Sequence, residues 1–160
     1  GYYAGAMTLG GISTAMHMQN ILLSTAVVSA AILQTIMERL DQEMVLIHYT
    51  TKESFTMIRL SGIIMPGPYS GRIFFTQDEY PTGEMAVEKL ALVGLANQKK
   101  VPTVKLYVTV KRFKDAILGP STVTWKRTKD NRILEGGGTE FYTNRYISLL
   151  NRRYYHSLIP

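Results

Sequence analysis

The first 37 residues carry no charged side chain, because the earliest acidic or basic residue is Glu38. From about Ser13 to Leu40 the chain lacks glycine and proline and is rich in alanine, leucine and methionine, which predicts one long helix. Its longest clean apolar stretch, residues 21–33, is shorter than the roughly 18–20 residues that a membrane span needs. A helix that is apolar nearly all round must be covered by its own domain, by a partner or by lipid. We expect a buried helix of a larger polypeptide rather than a membrane anchor.

This change in composition suggests two regions. An apolar helical or linker segment occupies residues 1–42, and a separate domain occupies residues 43–160. No signal peptide is predicted, since the segment has neither a basic amino-terminal region nor a clear small-residue cleavage site. The chain begins without methionine, so we expect it to be a fragment of a longer polypeptide.

Charge is distributed unevenly after position 37. Residues 38–98 carry five basic and eight acidic side chains, whereas residues 99–160 carry thirteen basic and four acidic ones. A basic half of this kind could bind nucleic acid or another polyanion, or it could be a solvated face. The absence of cysteine excludes disulfides, thiolate metal sites and cysteine nucleophiles, and three histidines leave little for a histidine-rich metal centre.

The remaining pattern predicts an α+β fold, with helices early and antiparallel strands late. Pro- and Gly-rich residues 65–71 are expected to form a loop. Alternating or continuous apolar runs predict strands, and apolar residues at helical spacing predict helices. The expected strands are 44–50, 72–76, 103–110, 122–127, 132–134, 139–143 and 146–149, and the expected helices are 52–60 and 82–97.

Two polar residues on these predicted strands are candidates for chemistry. His48 lies near the end of the first strand, and Glu140 lies at the start of a late strand, separated from the triplet Gly136–Gly138 by Thr139 alone. Glycines let backbone approach a ligand closely, although a hairpin turn is the simpler interpretation. Each side chain could equally be solvated. No serine triad, Walker loop or GxGxxG pattern is present, so the residues alone indicate a basic α+β domain with one candidate histidine and one candidate glutamate.

Three segments, taken in order and spacing, resemble a bacterial ADP-ribosyltransferase toxin domain, and most closely the small polymorphic-toxin branch that opens with a His-Tyr strand. The resemblance covers about two-thirds of the chain. The segments are LIHYTTKESFTMIRLSGII (46–64), GRIFFTQDEYPTGEMAVEKLAL (71–92) and GGGTEFYTNRYI (136–147).

The resemblance implies antiparallel strands around a cleft for NAD, which is the substrate, and no metal. In it, Glu140 rather than Glu135 is the catalytic carboxylate that stabilises an oxocarbenium-like transition state, and His48 hydrogen-bonds a ribose hydroxyl. Phe75 stands where the family often has a tyrosine against the nicotinamide. Arg59 and Arg72 are candidates for the pyrophosphate, with a structural salt bridge equally open for both. The remaining residues that the resemblance places in the NAD site are Tyr49, Thr50 and Tyr80.

The implied activity is that of a mono-ADP-ribosyltransferase toxin, which transfers ADP-ribose from NAD to RNA or protein of a target cell. The protein would be part of a secreted effector that acts in the target-cell cytoplasm during interbacterial competition, with a cognate immunity protein and no membrane partner. Two alternatives stay open, an NAD glycohydrolase on the same fold and a non-enzymatic or nuclease-type RNA-binding toxin. The aromatic residues that could stack on RNA bases, or simply belong to the core or surface, are Trp125, Tyr142, Tyr154 and Tyr155.

Overall fold

A computed structural model describes residues 11–160. It shows an α+β protein with antiparallel sheets and one long apolar helix near the amino terminus. The helices are α1 (Gly11–Leu40), α2 (Lys52–Ser61), α3 (Gly83–Lys89) and α4 (Val93–Asn97). The strands are β1 (Glu43–Thr50), β2 (Ile63–Ile64), β3 (Ile73–Phe75), β4 (Val104–Lys111), β5 (Leu118–Thr122), β6 (Lys126–Arg127), β7 (Ile133–Leu134), β8 (Thr139–Thr143), β9 (Ile147–Ser148) and β10 (Tyr154–Leu158).

Two compact units divide the chain, one ending at Asp41 and the other spanning Gln42–Pro160. The first contains α1, so the predicted long helix is confirmed over the described residues, while residues 1–10 of the predicted segment lie outside them. Within the described chain no side chain of residues 17–40 is buried, and burial in a larger polypeptide stays a prediction. By length and composition alone, His17–Leu40 could cross a membrane.

The first sheet of the second unit has the strand order β1-β4-β10 and is antiparallel throughout. Strand β4 is central, and its alternating sequence VKLYVTVK buries every valine and leucine that faces the core, while the residues between them stay partly exposed. Helix α2 contributes Phe55 and Ile58 to the same hydrophobic cluster. Thr51 caps this helix by accepting a hydrogen bond from the Ser54 amide, and Gly62 ends it with a left-handed φ of 73°.

A second three-stranded sheet has the order β3-β8-β5. The two sheets are linked by an isolated antiparallel bridge, in which the Ile47 and Thr76 amides each donate to the other residue's carbonyl at 2.8 and 2.9 Å. This bridge places His48, the next residue on β1, beside β3. Short pairs β2-β9 and β6-β7 complete the described strands.

The predicted single helix over 82–97 is wrong, because the structure has α3 and α4 separated at residues 90–92. Ala91 takes a left-handed φ of 48°, which an uninterrupted helix does not contain. The carbonyls of Glu88 and Lys89 accept hydrogen bonds from the amides of Gly136 and Gly138 at 2.9 and 3.0 Å. The loop before β8 thus supplies the hydrogen-bond donors that the next turn of the helix would otherwise have supplied to these carbonyls.

The predicted strand over 122–127 is also displaced. The structure has β5 ending at Thr122 and a separate β6 at Lys126–Arg127. Because β5 is an edge strand with an irregular register, it accommodates Gly119 and Pro120, which in the sequence resemble a turn. Strand β10 was not predicted, and all five of its residues are exposed, so no apolar alternation marks it.

A largely buried ion pair ties the chain after β4 to the segment between β9 and β10. Arg152 donates to both carboxylate oxygens of Asp115, at 2.7 and 2.9 Å, and the Lys111 amide donates to the same carboxylate at 2.7 Å. Arg152 also donates to the carbonyls of Ser148 and Thr109. Burial alone would raise the pKa of Asp115, but these hydrogen bonds outweigh it, and the pKa lies below its usual value.

Candidate active site

One cavity of about 1070 Å³ lies in the second unit and is bordered by residues of both three-stranded sheets. Sites of several hundred to about 1,000 Å³ are typical of small-molecule binding, so this cavity has room for a dinucleotide. Of the residues predicted for the site, the structure brings the following to its wall: His48, Tyr49, Thr50, Arg72, Phe75 and Glu140. Arg59, Tyr80 and Glu135 are not among the lining residues.

His48 is held by β1 and by a hydrogen bond between its Nδ1 and the Phe74 carbonyl oxygen, at 2.9 Å. A carbonyl can only accept, so Nδ1 carries the proton. Burial lowers the pKa of His48, with the Phe74 hydrogen bond acting in the opposite direction. The neutral ring therefore offers Nε2 as an acceptor, which suits a hydroxyl group of a ligand.

Glu140 occupies a position on β8 where the pleat sends side chains toward the cavity. It alternates with Phe141, which is buried in the core. Cross-strand partners share a face, and Phe74 pairs with Tyr142 while Phe75 pairs with Phe141. The aromatic ring on the carboxylate's face of the sheet is therefore Phe74. Phe75 belongs to the core, only 2% exposed, and its ring meets the edge of His48 at 5.7 Å between centroids.

A row of cations and rings runs along the face of β3 and β8 that carries Glu140, and all of its members except Tyr142 line the cavity. The Arg72 guanidinium lies 4.2 Å from the centroid of the Tyr142 ring, and Lys126 Nζ lies 5.6 Å from that of Phe74. The two rings are 6.5 Å apart. Lys126 and Lys129 line the cavity together with Glu140. Alternating rings and cations of this kind suit a ligand that combines flat bases with phosphates.

The glycine triplet before β8 is structural. The amide of Gly137 donates to the Val123 carbonyl at 2.8 Å, and the two flanking amides cap α3 as described above. A Cβ at Gly138 would lie 2.5 Å from the Tyr80 hydroxyl and 2.9 Å from the Lys89 carbonyl. The triplet amides are thus engaged by the protein, and the triplet is not a hairpin turn either, because β7 pairs with β6 whereas β8 pairs with β3 and β5. Close packing at these glycines fixes where β8, and with it Glu140, begins.

A tyrosine–aspartate network supports the same strand. Tyr80 donates from its hydroxyl to Asp78 Oδ2 at 2.9 Å, and the Thr139 amide donates to the same oxygen at 2.7 Å. Tyr49 donates to the Asp78 carbonyl and accepts from the Tyr80 amide, both at 2.8 Å. Asp78, which the sequence analysis did not identify, therefore holds Thr139, the residue directly before Glu140. Its signal was only the acidic pair in the loop after β3.

The tyrosines of this network are poor proton donors to a substrate. Burial, the largest influence, raises the pKa of Tyr49 to about 12. Burial and the hydrogen bond to Asp78 raise the pKa of Tyr80 further. Both hydroxyls remain protonated at neutral pH, and the Tyr80 ring serves this network instead of the cavity wall.

Two other predicted residues lie elsewhere. Glu135 forms an exposed ion pair with Lys89, 3.3 Å between Nζ and Oε2. The Arg59 guanidinium lies 5.6 Å from the centroid of the Phe55 ring.

Comparison with known proteins finds no matching protein-family model, no similar curated protein and no similar solved structure. Within the described residues, no group of three or more His, Cys, Asp or Glu side chains could hold a metal ion.

Proposed function

We propose that this protein is an ADP-ribosyltransferase-like toxin domain that cleaves NAD between nicotinamide and ribose. It then transfers ADP-ribose to RNA or protein in the cytoplasm of a target cell. The supporting observation is the cavity itself, which gathers His48, Glu140 and the Phe74 ring from three separate strands. Two three-stranded antiparallel sheets joined near His48 agree with a fold of this kind.

The neutral His48 ring suits an anchoring role. A ribose hydroxyl would donate to Nε2, because Nδ1 is committed to the Phe74 carbonyl. The Phe74 ring would pack on a base or on nicotinamide, with Phe75 behind His48. Arg72, Lys126 and Lys129 would attract the pyrophosphate. Arg59 lies outside the cavity lining, so Arg72 takes that role in the proposal.

Glu140 would act on the reacting bond. When the bond from C1′ to nicotinamide breaks, its electron pair leaves with the nicotinamide nitrogen, which was cationic and departs neutral. Positive charge develops on the ribose, and a carboxylate beside it stabilises that charge. Within residues 17–160, Glu140 has no hydrogen bond or ion pair through its carboxylate, so the group is available to accept from the 2′-hydroxyl. The acceptor's nucleophile then bonds to C1′.

Labelled NAD tests this proposal directly. The chain is incubated with NAD labelled in the adenylate half and with cell lysate, and the label is followed after RNase or protease treatment. Nicotinamide release with label on RNA or protein supports the transferase. Nicotinamide release with all label in free ADP-ribose indicates the glycohydrolase instead. Absence of nicotinamide release contradicts both and leaves the RNA-binding toxin. A cognate immunity protein, expected to plug the cavity, should block the release.

His48→Ala should weaken NAD binding by about tenfold with little change in turnover, because one neutral hydrogen bond is lost in ground and transition states alike. Steady-state kinetics would show a raised KM. The control is His156→Ala, since His156 lies on β10, exposed and away from the cavity lining. Equal effects of the two substitutions would refute the anchoring role.

The NAD affinity should also report the protonation of His48. The pKa of His48 is lowered from 6.5, so the ring stays neutral from pH 8 to about 6.5. The affinity for NAD should therefore not change over that range. Binding should weaken only below that range, when Nε2 acquires a proton and stops accepting. An NAD affinity that increases as the pH falls from 6.5 to 5 would contradict the assigned tautomer.

A further inference from the structure

We infer that helix α1 inserts across a lipid bilayer. This inference concerns the unit that ends at Asp41 and stands independently of the proposed NAD chemistry. It is an alternative to burial in a larger polypeptide, and it starts from the observation that no side chain between His17 and Leu40 is covered within the described chain.

The helix has the length that a bilayer requires. At about 1.5 Å per residue, the 24 residues of His17–Leu40 extend about 36 Å. The 17 residues between Asn20 and Glu38 extend about 26 Å, the short end of the range that spans a hydrocarbon core of roughly 30 Å. Counting only clean apolar residues 21–33 underestimates the span, because serines and threonines within a helix are tolerated in lipid. No charge occurs before Glu38, and Glu38 and Arg39 then stand together at one end.

Three polar side chains inside the helix form hydrogen bonds with the helix itself. Thr25 and Thr35 each donate their hydroxyl to the carbonyl four residues earlier, at 2.9 Å. The Gln34 amide donates to the Glu38 carboxylate at 3.3 Å, toward the charged end. Hydroxyls bonded back to the helix expose little unpaired polarity, which is the condition for residing in hydrocarbon.

The arrangement of residues around the helix favours lipid over a protein partner. At 100° per residue, Ser24 and Thr35 share one direction and Thr25 and Ser29 a neighbouring one, but Val27, Val28 and Ala31 interrupt the first, so no side of the helix is polar along its whole length. A helix that packs on one side of a protein keeps a polar face toward water. Apolar side chains on every side instead match a surrounding that is apolar on every side. His17, Gln19 and Asn20 are confined to the end opposite Glu38, at headgroup depth.

Flotation with vesicles tests the inference. The full chain is mixed with phosphatidylcholine vesicles, whose zero net charge removes attraction to the basic unit, and centrifuged through a density gradient. The wild type should float. Val28→Lys, at the centre of the helix, should lower the vesicle partition coefficient by about a hundredfold. The matched control Leu150→Lys adds the same charge to another exposed apolar residue and should float like the wild type.

Insertion depth gives a second measurement. The chain has no cysteine, so Ser29→Cys or Lys100→Cys carries a single environment-sensitive fluorophore. With vesicles, the label at position 29 should shift to the blue and resist aqueous quencher, while the label at position 100 should stay quenchable. A wild type that remains at the bottom of the gradient, a Val28→Lys protein that floats equally, or a quenchable label at position 29 would each overturn the inference. An oligomer that forms without lipid and that Val28→Lys dissociates would also overturn the inference, because a second copy of the chain would then cover the helix.

Discussion

Replacing Glu140 by glutamine is expected to lower NAD turnover by about 10²–10³-fold while NAD affinity stays nearly unchanged. The substitution keeps the shape of the side chain and removes its charge. In the proposed reaction that charge stabilises a cation which exists only as the glycosidic bond breaks, so its loss should lower kcat without changing ground-state binding. Single-turnover nicotinamide release together with NAD titration separates the two quantities.

Glu135→Gln is the matched control for this substitution. Glu135 is only five residues away, yet its side chain is 67% exposed, pairs with Lys89 and does not line the cavity. It should turn over NAD like the wild type. If Glu135→Gln were inactive and Glu140→Gln active, the carboxylates would have been assigned in the wrong order. Normal turnover by both would refute the catalytic carboxylate altogether.

Replacing Asp115 by asparagine should destabilise the second unit by about 3 kcal/mol. The substitution leaves the guanidinium of Arg152, whose side chain is only 19% exposed, without its buried counter-charge. Because this pair ties the chain after β4 to the segment before β10, the sheet β1-β4-β10 should unfold as one unit. Thermal or urea unfolding measures the loss, which corresponds to roughly 10 °C in Tm.

The pH dependence distinguishes this ion pair from a packing effect. The pKa of Asp115 is lowered in the folded state, so its contribution is present above the unfolded pKa, about 3.9, and is lost as the pH falls through the folded value. The difference between wild type and Asp115→Asn should therefore shrink below pH 4. Glu135→Gln again serves as the control, since an exposed pair contributes less than about 1 kcal/mol. A difference that persists unchanged at pH 2 would assign the effect to packing.

Local patterns in the sequence predicted the elements whose signals are local. Strand β8 was predicted with its observed bounds, and β1, β4 and α2 within one residue at either end. Alternation of apolar side chains along β4 or helical spacing in α2 depends only on neighbours in the chain. The break between α3 and α4 depends instead on Gly136 and Gly138, far along the sequence, and no local pattern reports it.

The candidate site follows the same distinction. Motif resemblance was sufficient to select His48 and Glu140, and the structure lines one cavity with both. It selected Phe75, which lines the cavity, but it did not identify Phe74, which the register of β3 against β8 places on the same face as Glu140. Nor could it identify Asp78, whose importance comes from the Thr139 amide and not from a motif.

The pairing of strands also has a consequence for when the site comes into existence. Strand β1 pairs with β4, and β3 with β8, so the strands that carry His48 and Glu140 are held by segments far apart in the sequence. Bringing such distant segments together costs chain entropy before the contacts between them can stabilise the fold. Chains dominated by non-local contacts typically fold in about milliseconds to seconds. A partly synthesised or clipped chain that lacks β8 would hold His48 and no carboxylate. The proposed chemistry therefore requires β8 to have left the ribosome and to have paired with β3.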